Sequence, residues 1–179
     1  MEEAGQLLPA LFESYQEISG RAYGKVEGYF CEDAESILVL LGSSFDTSIE
    51  AMEEIRAEGK KAGTATLHVL RPFPAQELYE TIGQGKNIIV ADRQDSYGAG
   101  GGNLSLEVRA AMQRNGSGAH IKSLVYGLGG KDFYKEDVKT MLSWAEDINK
   151  PDFDYYGVTK VIITAVEPWI KKMSLCLHP

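Results

Sequence analysis

The strand-like run Asn87-Ile-Ile-Val-Ala91 leads into Asp92-Arg-Gln-Asp-Ser-Tyr-Gly-Ala-Gly-Gly-Gly102, and then into the helix-patterned run Leu104–Met112. Few architectures place a glycine-rich turn between the carboxyl end of a strand and the amino end of a helix. In open α/β sheets, ligand and partner surfaces gather at that junction. Gly98, Gly100, Gly101 and Gly102 allow backbone to approach backbone, or an anion, with no Cβ between them.

The same alternation runs along the chain. Ser36–Leu41 is apolar on both faces, as a buried parallel strand is, and a helix pattern follows from about Thr47 to Glu58. Thr64–Leu70 reads as a second strand, stopped by the rigid Arg71-Pro-Phe-Pro74, and Ala75–Ile82 as a short helix. After the glycine loop and a helix over 103–114, Ile121–Tyr126 reads as a fourth strand. Gly127-Leu-Gly-Gly-Lys-Asp132 is a second glycine turn, and Lys135–Ile148 a helix. Val26–Phe30 fits an edge strand. Strands alternating with helices predict a three-layer α/β/α domain with a mostly parallel sheet, over about 25–150. Residues 1–24 read as a connecting helix and linker. Its Leu7, Leu8, Leu11, Phe12, Tyr15 and Ile18 recur at helical spacing, with Pro9 a possible start or bend. Residues 151–179 read as a tail that packs on a partner or is loosely held. Within it Val161–Val166 has a strand pattern.

Bulk properties remove several classes of function. The formal net charge is -8, and the nearest approach to a basic cluster is the doublets Lys60-Lys61 and Lys171-Lys172. That argues against nucleic-acid binding. Cys31 and Cys176 belong to no CxxC or Cys/His spacing, which argues against zinc, an iron–sulfur cluster or a disulfide framework in this chain. The Met-Glu-Glu-Ala-Gly start is unlike a signal peptide, and no apolar run approaches the roughly 20 residues of a membrane span. A cytoplasmic location is expected.

The glycine loops match no nucleotide signature. Asn103 stands where GxGxxG needs glycine, and neither Gly102 nor Gly129-Gly-Lys131 is followed by the GK[ST] of a phosphate loop. Two readings remain for residues 98–102: a tight turn packed against another chain, or anion binding at the start of the next helix. Asp92 and Asp95 are either acid/base groups or members of an arginine–carboxylate pairing that shapes the loop, and the second reading is preferred. Arg71 is expected to pair with Asp92 or Asp95. His68 reads as a satisfied core or subunit-contact histidine. Ser43-Ser44 lacks the frame of a nucleophile elbow.

Taken together, Leu41-Gly-Ser43, Val69-Leu-Arg-Pro-Phe-Pro74, Val90–Gly102 and Tyr126-Gly-Leu-Gly-Gly-Lys-Asp132 resemble a known family. In order and separation they are similar to the second domain of the alpha subunit of pyruvate:ferredoxin oxidoreductase and related 2-oxoacid:ferredoxin oxidoreductases. The resemblance covers roughly residues 1–150 and implies the fold of the carboxyl-terminal domain of transketolases. It implies a parent complex using thiamine diphosphate, magnesium, iron–sulfur clusters and coenzyme A, held in other domains or subunits and none of them in this chain. On this resemblance the sequence starts in the family's connecting helix, so the chain alone is not expected to be catalytic. Its partners are expected to be other subunits of the oxidoreductase, ferredoxin through the complex, and a second copy of itself. The surface residues implied are Arg71, Asp92, Arg93, Ser96, Gly98, Gly100, Gly101, Gly102, Gly127, Gly129 and Gly130, with a role in assembly. The rival expectation is a stand-alone module binding a phosphate-bearing ligand such as coenzyme A.

Overall fold

The computed structural model describes residues 2–158. The strand pattern at 161–166 and the cysteine at 176 lie outside the described residues. The element order is α1 (Glu2–Ser19), β1 (Val26–Tyr29), β2 (Ser36–Val39), α2 (Ser44–Ala57), β3 (Ala62–Leu67), α3 (Ala75–Ile82), β4 (Asn87–Asp92), α4 (Asn103–Arg114), β5 (His120–Val125), a 3-10 turn (Leu128–Gly130), α5 (Lys135–Glu146) and β6 (Phe153–Tyr155). The sheet order is β1-β3-β2-β4-β5-β6. β1 runs antiparallel to β3, and every other pairing is parallel.

The two-residue period of the strands divides the core into two layers. Leu38, Leu40, Ile89, Ala91 and Leu124 face α2 and α5, meeting Phe45, Met52, Ile55, Val138 and Met141. Ile37, Val39, Ala65, Ile88 and Val90 face α3 and α4, meeting Leu78, Ile82, Leu104, Val108 and Met112. Because both faces of β2 and β4 are covered, their sequences are continuously apolar.

Several element boundaries differ from the sequence reading, with β2 ending at Val39 and α5 at Glu146. Strand β3 lies two to three residues earlier, since the His68 and Val69 amides turn to the Lys25 carbonyl. Helix α2 begins at Ser44, directly after the turn that follows β2. Pro9 lies inside α1, which runs through it. The acidic aromatic segment supplies β6, bound through Ser123 N–H to the Asp152 carbonyl and Tyr156 N–H to the Val125 carbonyl, both 2.8 Å. The crossovers β2-α2-β3, β3-α3-β4 and β4-α4-β5 share one hand. Because α5 lies on the α2 face, β5-α5-β6 has the opposite one, a rare arrangement for parallel strands.

Candidate docking edge at the carboxyl ends of the strands

The chain leaves β2 toward β3 on one side and returns to β4 on the other. The loops after β2 and β4 therefore diverge, and a crevice opens between them, where open α/β sheets place their binding surfaces. A cavity of about 330 Å³ lies there, lined by Leu41, Leu70, Arg71, Phe73, Asp92, Gln94, Asn103, Leu104 and Glu107.

Asp92 ends β4 on the α4 face and is 5% exposed. Its two carboxylate oxygens accept the Leu104 and Ser105 amides at 3.0 and 3.1 Å. Those are amides at the free amino end of α4, which otherwise lack partners. Burial pushes the carboxyl above its usual range, and the two amides oppose that shift. Asp92 thus takes the place at the α4 start that an anionic ligand would need. Gly102 sits against this carboxylate, where a Cβ would overlap the Asp92 carboxyl atoms. A Cβ at Gly101 would lie 2.7 Å from Ser105 Oγ and 3.0 Å from Ser123 Oγ. The Gly102 amide donates to Ser123 Oγ at 3.2 Å. The loop is drawn inward because its backbone occupies the space side chains would take.

Arg93, one residue on, points to the opposite face. Its guanidinium lies 5.0 Å from the centre of the Tyr126 ring, and Nη2 donates to Ser44 Oγ at 3.3 Å. Tyr126 Oη donates to the same hydroxyl or accepts from it at 2.8 Å. Among the described residues Arg93 meets no carboxylate within ion-pair distance. The expected pairing of Arg71 with Asp92 or Asp95 is corrected: Arg71 donates to Glu107 Oε1 and to its own Leu70 carbonyl, each at 2.6 Å. Asp92 is committed to the α4 amides, and Asp95 accepts from Tyr155 Oη. Each of those two carboxylates is thus held by a structural partner.

The Ser96 carbonyl accepts the Ala99 amide at 2.8 Å, closing a turn that carries Tyr97 outward. Gly98 has φ +80 and open space around it, and the Gly100 carbonyl accepts from Arg109 at 2.7 Å. In the second glycine turn Gly127, Gly129 and Gly130 all have φ between +67 and +78. A Cβ on Gly129 or Gly130 would meet nothing within 4 Å, while Gly127 lies under the Arg93 guanidinium. His68 is at the surface, 2.9 Å from Glu27 and edge-on to Tyr23.

Sequence reasoning missed two structural cations. Arg109 also donates to the Ile121 and Asp152 carbonyls, tying the glycine loop to β5 and the entry of β6. Lys122 is 1% exposed, and its Nζ donates to the carbonyls of Trp144, Asp147 and Lys150. It satisfies the carboxyl end of α5, where a cation also meets the helix dipole favourably. The only sequence signal was a lysine interrupting an apolar strand. Cys31 is buried, with its thiol directed at the Thr64 carbonyl and pushed up to about 11. No group of three or more His, Cys, Asp or Glu able to hold a metal occurs among the described residues. No described helix is long and apolar enough to cross a membrane.

Fold and edge together define a doubly wound α/β domain with one antiparallel edge strand, closed at the α4 start and open over the strand ends. The model of the family described as pyruvate:ferredoxin oxidoreductase core domain II matches residues 34–138, and the chain belongs to that family. The pyruvate synthase subunit PorA of Thermotoga maritima is 36% identical over 139 residues, 78% of this chain and 35% of that subunit. The ketoisovalerate oxidoreductase subunit VorA of Pyrococcus horikoshii is 37% identical over 150 residues, 83% of this chain and 37% of that subunit. The chain thus spans little more than a third of these curated relatives. Among solved structures, the 2-oxoglutarate:ferredoxin oxidoreductase from Magnetococcus marinus with 2-oxoglutarate, coenzyme A and succinyl-CoA bound superposes with TM-score 0.54 at 22% identity, covering 70% of this chain and 20% of that one. A split gene transketolase, an inactive beta4 tetramer, gives 0.52 at 18%, covering 70% and 44%. At those identities the likeness is one of fold.

Proposed function

We propose that this chain is the second-domain unit of a thiamine-diphosphate-dependent 2-oxoacid:ferredoxin oxidoreductase, with pyruvate as the favoured substrate of the whole. Its own role is to build and hold an interface. The observation that carries this reading is the division of labour along the carboxyl edge. The buried carboxylate there, Asp92, is used internally by the α4 amides. The groups left outward are those that dock: Arg93 on its aromatic shelf, Leu70, Tyr97 and Leu128.

The described residues do not fit a thiamine diphosphate–magnesium site or an iron–sulfur cluster. Each oxygen of the buried Asp92 already accepts an α4 amide, and the Cys31 thiol is buried and protonated at neutral pH. In this reading those groups, coenzyme A and the electron path to ferredoxin belong to the rest of the complex. No chemical step is routed through this chain.

The test is mild affinity capture of the tagged chain from its own cells. Thiamine-binding and iron–sulfur subunits should co-elute, and the eluate should reduce a viologen dye with a 2-oxoacid in a coenzyme-A-dependent way. Arg93→Ala should lower the yield of complex roughly tenfold, as loss of an interface arginine does, with the activity per assembled complex unchanged. A variant that assembles fully but loses one reaction step would overturn the assembly role. A chain that elutes alone and inactive would overturn the reading itself.

A further inference from the structure

We propose that Arg93 is the receptor for a single carboxylate, an aspartate or glutamate side chain of a partner protein that docks on its guanidinium. The proposal rests on the reading of this edge as a docking surface and names the chemistry of one contact on it.

The guanidinium is held in place without being paired. It lies 5.0 Å from the centre of the Tyr126 ring, and Nη2 donates to Ser44 Oγ at 3.3 Å. Gly127 completes the shelf, since a Cβ there would come within 3.3 Å of Arg93 Cζ and Nη1. Tyr126 is itself buried, with its hydroxyl 2.8 Å from Ser44 Oγ, so the shelf is fixed from below. Among the described residues Nε and Nη1 have no acceptor. A guanidinium has two forked edges, one shared by Nε and Nη2 and one by the two Nη nitrogens. Ser44 takes one hydrogen of Nη2, so one fork stays complete whichever hydrogen it takes. That fork matches the two oxygens of a carboxylate.

Arg56, Arg71 and Arg109 are used differently. Arg56 meets Asp33 at 2.7 Å, Arg71 meets Glu107 at 2.6 Å, and Arg109 is spent on three carbonyls. Arg93 is likewise fixed, but by no anion, in a chain whose 26 Asp and Glu outnumber its 18 Lys and Arg. Freezing a free arginine costs side-chain entropy when it docks, and stacking has already removed part of that cost here.

The surroundings favour a protein over a small anion. The cavities beside His68 and beside Leu70 are lined by other residues, which leaves Arg93 on an open shelf. Small ligands bind where they are enclosed. A protein surface brings its own enclosure, and Leu128, next to Gly127 and 42% exposed, gives it an apolar contact beside the ion pair. The net charge of -8 opposes an extended acidic patch, so the docking group is one carboxylate in a neutral or basic setting.

The test uses the full tagged chain, captured with its bound proteins and treated with a carbodiimide, which joins a lysine amine to a neighbouring carboxylate. Arg93→Lys keeps the charge and supplies the amine that arginine lacks. It should give a link from position 93 to an aspartate or glutamate of another protein, absent from the wild type and from Arg93→Gln. Against the protein so linked, Arg93→Gln should bind about tenfold more weakly than the wild type. Arg93→Glu, which sets like charges together, should be weaker still. Replacing the linked carboxylate by arginine should restore binding to Arg93→Glu, which a merely structural arginine would not allow. A link only within this chain, or charge variants that bind as the wild type does, overturns the proposal and leaves the docking edge standing. A thermal midpoint raised by inorganic phosphate in the wild type but not in Arg93→Gln makes this a free-anion site and also overturns it. A link to a protein that is no oxidoreductase subunit keeps the carboxylate and overturns the wider assembly reading. If nothing co-elutes with the wild type, both fail.

Discussion

At the end of β4 the chain turns inward, and at the end of β5 it turns outward. Gly101 and Gly102 lie where Ser105, Ser123 and Asp92 leave no room for a Cβ. Gly129 and Gly130 face open space, and what they share is a positive φ. In sequence both stretches are the same signal, a strand followed by clustered glycines. In the structure one is a packing device that seals the α4 start. The other is a change of backbone hand that leaves an exposed turn beside Arg93. Glycine spacing alone therefore does not separate a closed junction from an open one. The residues that meet the glycine do.

The largest effect should come from filling the closed turn. Gly102 has φ -72, which valine adopts freely, so conformation is no obstacle to Gly102→Val. The new side chain would displace the Asp92 carboxylate and break the cap on α4. Overpacking plus a lost buried cap predicts a loss of about 3 kcal/mol or more in urea unfolding. Gly130→Ala has open space but must hold φ +78, at a cost of about 1–2 kcal/mol. Equal losses at the two sites would erase the distinction between the turns.

Lys122 extends the comparison to the cations. Lys122→Met keeps the stem but removes the shared donor of three partly buried carbonyls, of which, among the described residues, only that of Asp147 keeps a backbone partner, the Lys150 amide. The expected loss is about 2–3 kcal/mol, with amide exchange in the last turn of α5 quickening first. Arg93→Ala, whose guanidinium rests on a ring and one hydroxyl at the surface, should cost about 0.5 kcal/mol or less. If Lys122→Met costs no more than that, water satisfies the α5 carbonyls and the lysine is not holding them.

These residues also show what was legible before the structure. The strand and helix order was readable because burial on both faces imposes continuous apolar runs on β2 and β4. The crevice at the carboxyl ends of the strands was readable because glycine and proline punctuate strand ends. The partner of Arg71 was not, since Glu107 lies about one turn into α4 and periodicity does not say which exposed side chains meet. Lys122 and Arg109 bind backbone carbonyls, and a carbonyl has no sequence identity to read. Strand β6 is three residues long, acidic and joined by a crossover of the rarer hand, so each local and topological preference pointed away from it.

The smallest effect separates the two neighbours at the end of β4 by pH. Burial raises the Asp92 carboxyl above its ordinary 3.8, and the Leu104 and Ser105 amides only partly offset that. The folded chain therefore binds this proton more tightly than the unfolded chain does. The contribution of Asp92 is fully present below pH 3.8 and is lost as pH rises through the folded value. Asp92→Asn abolishes the titration and keeps one carbonyl oxygen for the α4 amides. The unfolding free energy of the wild type minus that of Asp92→Asn should thus fall as pH rises above 3.8 in urea titrations, the other carboxylates cancelling in the difference. Arg93→Ala, on the opposite face, should leave that slope unchanged. A difference that instead grows with pH would mean that the attraction of the α4 amino end for a negative charge outweighs burial. The α4 start would then be a place that binds anions, filled in this chain by its own aspartate.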